Sequence, residues 1–559
     1  MAIRKVSEMP VLDQQYKADL KVIIDKAQRS ADGALALNMA NDEDYRLVKS
    51  HYDFLGITPQ RYPQLSLQLQ MAREAGVRGK DLAVKYDQGT DGFTDANLIN
   101  NLAIDLMGRA VAQGLSTYIG GAYSVILTLQ LFDKDNQDLL ASENIHVMGE
   151  GEFTPIQAKS DKGAPERMQA ALFVAYTKTV NSPTEHLVVT REIDKGPVAD
   201  PEITQPVPKD PNAKVITIGL SRGVGNRDNV DYWFNQQLWD DKTVMVPLAG
   251  KVTFQSPIIQ PLVPKQNIYI NLAVAMATGG LKVDPEDVEN QVYPYFTVDP
   301  SDPCTLLFNK PAPTDPKSTD NGNPIVFGKA PWSTDTIVYF YCNISIKTQN
   351  SGTFFVNANI QSSDFPDWDP LDGTLYIRPF NFTWHCLAKG SRITLADGRE
   401  AAIEELSGGE EVLVSANGDK LAVGATYVGK HDGPAYKLVT ENGEELTLSD
   451  CHVVGTPDGF KLAMELKAGD QVMTREGAAR LASVEEVDYD GYMINLELAA
   501  PEEYGDTTMF ANGIWVGDKA MQSRYFRTHY RSHELVLHRL PQDFHKDFES
   551  LLEDIAAAR

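Results

Sequence analysis

The chain has 559 residues, too many for one hydrophobic core, so several domains are expected. With 42% hydrophobic and 23% charged residues the composition is that of an ordinary globular protein. A formal net charge of −26 argues against nucleic acid or an anionic membrane as a partner, because phosphate binding needs clustered Lys and Arg.

The first twenty residues, MAIRKVSEMPVLDQQYKADL, carry basic side chains but no apolar run of signal-peptide length, and no later run is long enough to span a bilayer. The expectation is synthesis as a soluble protein, with any export by a route the sequence does not spell. The four cysteines, Cys304, Cys342, Cys386 and Cys451, are too few for a disulfide framework and suit a reduced compartment with a free thiol.

Tyr16, Leu20, Ile23, Ile24 and Ala27 recur at helical spacing, and further helical stretches are read over 42–55 and 95–111, the last capped by Thr94 or Asp95. From residue 123 the pattern turns to strands. Segments 124–132 and 139–147 flank an acidic hexad, 133–138, that lacks the Gly and Glu of a calcium loop and reads as a hairpin turn. Residues 195–214 hold Pro197, Pro201, Pro206, Pro208 and Pro211 and are expected to form an extended linker.

Strand-like runs follow at 215–220, 243–254, 267–277, 336–347 and 353–360, separated by loops such as the Pro- and Asp-rich 309–324, which suggests a β-sandwich. Gly219 to Gly225 lacks the lysine of a phosphate loop and reads as a turn. Asp364, Asp367, Asp369 and Asp372 read as a solvated acidic turn, with calcium binding the alternative. No enzyme signature precedes residue 385. Phe380, Phe382 and Trp384 alternate with Asn381 and Thr383, so a strand is expected to run straight to His385.

The texture changes at Cys386. Asp397-Gly398, Asn417-Gly418, Asp432-Gly433, Asn442-Gly443, Asp458-Gly459 and Asn512-Gly513 punctuate short apolar runs, which specifies an all-β domain of tight hairpins. The domain also repeats itself. DGREAAIEELSGGEEV, from Asp397 to Val412, aligns with DGFKLAMELKAGDQV, from Asp458 to Val472, with one inserted residue, so two similar β-units related by pseudo-twofold symmetry are expected.

Three blocks carry a resemblance: CLAKGSRITLADG, ELTLSDCHVVGTPDGFKLAMELKAGDQV and TTMFANGIWVGD. In this order they resemble the Hint family, shared by inteins, hedgehog processing domains and bacterial intein-like proteins, over about residues 386–518. The resemblance implies that Cys386 attacks the carbonyl of His385 and converts the scissile peptide bond into a thioester by an N-to-S acyl shift. A resonance-stabilised amide and a thiol of pKa ~8.5 make that reaction slow unaided. It needs a nucleophile, an oxyanion stabiliser and a proton donor to the leaving nitrogen.

The family's Thr-x-x-His motif maps onto Ser449-Asp450-Cys451-His452, which makes His452 the implied proton donor. Ser449 keeps the hydroxyl of the usual Thr but not its methyl. Cys451 is a core residue or a redox partner that traps Cys386.

The closing block departs from the splicing pattern. Asp518 stands where a splicing intein has Asn, Gly517 replaces the preceding His, Lys519 replaces the acceptor Cys, Ser or Thr, and Asn495 replaces the usual Asp. Cleavage without ligation is therefore expected, by a mechanism that uses no cofactor and no metal. Water or an external nucleophile accepts the acyl group, and no partner is required. The N-terminal β-regions are candidate surfaces for a protein partner or homo-oligomer.

The tail reads as one or two amphipathic helices. His529 and His533 are four apart, but no third zinc ligand at recognised spacing accompanies them.

The sequence thus describes a multidomain α+β chain: a helical region (1–120), a β-rich domain (121–200), a β-sandwich-like domain (201–385), an all-β Hint domain (386–518) and a helical tail (519–559). The functional expectation is single-turnover self-cleavage at His385-Cys386 that releases an N-terminal β-rich cargo. The alternative is a structural, interaction or secreted effector protein carrying a slow or inactive Hint module.

Overall fold

A computed structural model of the chain describes most of residues 14–77, 95–194, 249–276, 296–308, 336–383 and 387–557, with short strands at 3–5, 200–204, 216–219, 232–233, 243–246, 281–282 and 325–329. Trp384, His385 and Cys386 lie outside the described residues, as do Thr94, His533, residues 220–225 and the acidic run 363–370 with Asp372. Among the described residues the chain is mostly β, arranged in several sheets, with five α-helices.

The first module has three layers. Its centre is a six-stranded sheet, ordered Ile3–Lys5, Leu139–Met148, Ser124–Asp133, Arg167–Thr177, Glu185–Asp194 and Ala34–Ala36. Side chains alternate across a strand, so the two faces can be read from one segment. Val125, Leu127, Leu129 and Leu131 meet a three-stranded sheet, Ala96–Ile104, Arg109–Thr117 and Phe153–Gly163, through Ile99, Leu102, Ala112 and Ile156. Ile126 and Phe132 instead meet helices α1 (Gln14–Ala27), α2 (Asp42–Phe54) and α3 (Pro63–Val77) through Ile23, Leu47, Tyr62 and Leu65. Asn41 caps α2, its side chain accepting from the backbone of Glu43 and Asp44.

Two expectations fail in this half of the chain. Residues 95–111 are not a helix but most of an antiparallel hairpin, Ala96 opposite Thr117 and Ile104 opposite Ala110. Both faces of its first strand are buried, and its turn is tied by Asp105, whose carboxylate accepts from Met107 N and Arg109 N at 2.9 Å each. Asp95 caps no helix; it forms an ion pair with Lys178. The Pro-rich 195–214 segment is not wholly a linker, because Asp200–Thr204 pairs antiparallel with Ala249–Thr253. Pro201 can join because an edge strand tolerates a residue with no amide hydrogen.

Ahead of the junction, an eight-stranded sheet is built around Thr336–Ile346, which pairs with Ile268–Met276, Val356–Ser362 and Phe380–Thr383. The last of these, as expected from its alternation, is the strand that runs toward His385. It is held on its other side by Ile216–Gly219 in parallel register.

Residues 387–517 form one twelve-stranded sheet system with an internal twofold relation. The two repeats fold alike. Each passes from a strand into a single 3-10 turn, Ile403–Glu405 in one and Ala463–Glu465 in the other. Gly409 and Gly469 sit at φ +96° and +94°, where a side chain would be strained, and donate at 2.8 Å to Val423 O and Leu481 O.

Equivalent residues of the two copies also pair with each other. Leu387 lies opposite Leu448, and Asp432 lies opposite Asp490 in the long ribbon Lys420–Thr440 against Gly477–Ala499. The pseudo-twofold axis therefore passes beside Leu387, one residue after the junction.

The tail divides. Helix α4 (Lys519–His529) seats Met521 against Val453 and Leu462 of the second repeat. Helix α5 (His545–Ala557) returns to the first module, where Phe544, Phe548 and Leu551 share the core of α2 and α3.

Candidate functional site at the 385–386 junction

The described half of the site is a loop at the end of the strand Glu445–Leu448. His452 N donates to Ser449 O at 3.2 Å, which closes a tight turn, while Met464 N donates to Asp450 O at 2.8 Å and Ala463 N to His452 O at 2.9 Å. Asp450 also steadies the turn locally, accepting from Cys451 N at 2.8 Å. The same latch occurs in the first repeat, where Ile403 N donates to Ser391 O at 2.8 Å. His452 is thus the second repeat's counterpart of Ser391. Only the second copy carries an ionisable group there.

His452 is fully buried, and among the described residues neither ring nitrogen has a hydrogen-bond partner. A buried imidazole lacking both bonds is costly. The strand register says what lies alongside. Leu387, the first described residue after the junction, pairs with Leu448 and with Ile494, and Ser449 and Asn495 are the residues that follow those partners.

Ser449 and Asn495 are both fully buried. They are joined through two residues: Ser449 Oγ lies 3.7 Å from Cys451 Sγ, Gln522 Nε2 lies 3.5 Å from the same sulfur, and Asn495 Nδ2 donates to Gln522 Oε1 at 2.9 Å. Cys451, 2% exposed, is wrapped in this polar chain and takes part in no disulfide among the described residues. Gln522 is the member that the sequence reading missed. It sits four residues after Asp518, where one helical turn brings it back over the strand, a placement that depends on the surface the helix meets.

Asp518 is the N-cap of α4. Its carboxylate accepts from Met521 N at 2.8 Å, from Leu498 N at 2.9 Å and from the Thr507 hydroxyl, so both oxygens are engaged. Burial raises its pKa above the usual carboxylate value, against those three donors, which pull it down. The structure thus gives this position the work of holding α4 on the sheet, and with it Gln522 against Asn495.

Residues 387–518 have the two-repeat β plan and the loop that the three Hint-like sequence blocks imply. Solved structures similar to the chain include the gp41-1 intein, 22% identical over 24% of this chain and 100% of that one, TM-score 0.21. A DnaB intein from Synechocystis sp. PCC 6803 is 19% identical over 24% of this chain and 99% of its own, TM-score 0.21. The bacterial intein-like domain from Clostridium thermocellum is 19% identical over 24% and 100%, TM-score 0.22. No family model and no curated protein matches the chain.

Proposed function

We propose that the chain cleaves itself between His385 and Cys386. The observation that carries this reading is His452, a buried imidazole whose two nitrogens have no partner among the described residues, on the loop that follows Leu448, the strand partner of Leu387. The Cys386 thiolate attacks the His385 carbonyl carbon. The resulting tetrahedral intermediate collapses with loss of the amide nitrogen, which His452 protonates as it leaves, so Cys386 gains a free α-amine and a thioester to His385. Water, or an external amine or thiol, then takes the acyl group.

The surrounding polar chain supports the division of labour. Ser449 supplies a hydroxyl where an oxyanion can be met, and Asn495, held by Gln522, offers an amide rather than the acid of the usual pattern. Asp518 is committed as a cap and has no amide nitrogen with which to form a cyclic imide, so the chemistry stops at the N-terminal junction and no ligation follows.

The test is denaturing electrophoresis of purified wild type and Cys386→Ala, with and without dithiothreitol. A fragment ending at His385 in the wild type alone supports the reading; an intact wild type in every lane overturns it.

A further inference from the structure

Helix α5 is built into the first module as one of its own elements, although it lies on the far side of the junction. Phe544, Phe548 and Leu551 are fully buried in the cluster that contains Leu47, Tyr62 and Leu65, with Val536 and Leu540 beside them. The polar contacts are as specific. Asp547 accepts from Gln64 N at 3.0 Å and Leu65 N at 2.8 Å, amides of the first turn of α3 that have no carbonyl within their own helix. Asp554 accepts from the Tyr62 hydroxyl at 2.6 Å and forms an ion pair with Arg61, whose carbonyl accepts from Ser550 Oγ at 2.5 Å. One polypeptide segment, residues 61–65, thus meets three side chains of α5 at successive turns.

Every one of those contacts joins a residue before 385 to a residue after 386. We propose that cleavage at the junction leaves residues 1–385 bound to residues 386–559 through α5. The product is a two-chain protein that keeps its Hint-like domain, not a released cargo.

The proposal rests on the cleavage reading but is separable from it. The Hint-like domain is joined to residues 1–385 at two places, covalently through the strand Phe380–Thr383 and by packing through the tail, and the chemistry opens only the first. At the second, α4 is held on the domain by Met521 and by the bond from the Tyr525 hydroxyl to Phe460 O, while α5 is held in the module. Breaking one peptide bond near residue 386 removes none of these contacts. For the fragments to part, α5 must leave the core and expose Phe544, Phe548 and Leu551 together with the α3 amides. Cleavage therefore frees a chain end at the Phe380–Thr383 strand without freeing the chain.

The experiment compares native size-exclusion chromatography with a denaturing gel on the same full-length sample after treatment with dithiothreitol. The expected result is two bands on the gel and one native peak that contains both fragments in equal amounts. Residues 1–385 eluting alone would overturn the proposal. If the gel shows no cleavage, the cleavage reading has failed, and retention is tested on Cys386→Ala carrying a site-specific protease sequence between Thr383 and Leu387, scored by the same native peak. Asp547→Ala with Asp554→Ala then assigns the contact, with dissociation of the cut fragments expected to rise at least about tenfold. Unchanged dissociation in that variant would contradict the role given to α5.

Discussion

His452 and Asp518 show how differently two buried residues of one domain can be used. Both are fully buried and both sit at the end of a strand, but Asp518 satisfies three donors while His452 satisfies none among the described residues. In the proposed mechanism His452 makes its bond during the reaction, whereas the saturated Asp518 carboxylate holds α4. Replacing His452 by Ala should slow fragment formation by about 10²–10⁴-fold, the usual worth of a positioned proton donor, with the far-ultraviolet circular dichroism of the chain unchanged. A variant that cleaves at the wild-type rate would remove His452 from the mechanism. Asp518→Ala should instead act on stability, costing about 1–3 kcal/mol in chemical denaturation through the lost cap and the unpaired amides of Leu498 and Met521.

At the scale of elements, legibility depended on whether the partner surface was local. The helix Gln14–Ala27 could be read because one face is apolar, and the turns of the Hint-like domain could be read because Asn-Gly and Asp-Gly pairs demand particular backbone angles. The strand Ala96–Ile104 was misread because burial on both faces erases the alternation that marks a strand, leaving Leu98, Ile99, Leu102 and Ala103 at spacings that also suit a helix. Helix α3 went unread for the opposite reason. Its Leu65, Leu67, Leu69 and Met71 alternate with Gln and Ser like a strand, yet Leu67 is 49% exposed while Gln68 is buried and accepts from the Thr184 hydroxyl.

The docking of α5 on α3 is a tertiary fact with no local signature, and it has a consequence in pH. Burial pushes the Asp547 carboxyl from 3.8 up to about 6, outweighing the amides of Leu65 and Gln64 that pull it down. Between those values the folded chain holds a proton that the unfolded chain has released. This contribution to stability is therefore complete below pH 3.8 and is lost as pH rises through about 6. Asp547→Asn, which lacks this ionisation, should flatten the fall in thermal midpoint across that window. A slope identical to wild type would place its origin elsewhere.

For the whole molecule, the tail changes what self-cleavage accomplishes. A sequence reading that takes residues 519–559 as an appendage expects a cargo to leave. In the structure residues 387–529 form a β-domain with its own helix, set between the strand Phe380–Thr383 and helix α5, which packs into the material on the other side of the cut. The loop that carries His452 was legible, because a strong turn code and an internal repeat mark the two-unit β plan. Gln522 and the return of α5 were not legible, since each depends on which surface a helix meets rather than on its own residues.

The central claim remains the thioester at Cys386, and intact mass spectrometry after hydroxylamine treatment tests it most directly. The account predicts residues 1–385 as the hydroxamic acid of His385 together with an unmodified 386–559 fragment bearing a free Cys386 amine, and neither species from Cys386→Ala. A single full-length mass in the wild type, or a cut at any other bond, would contradict it.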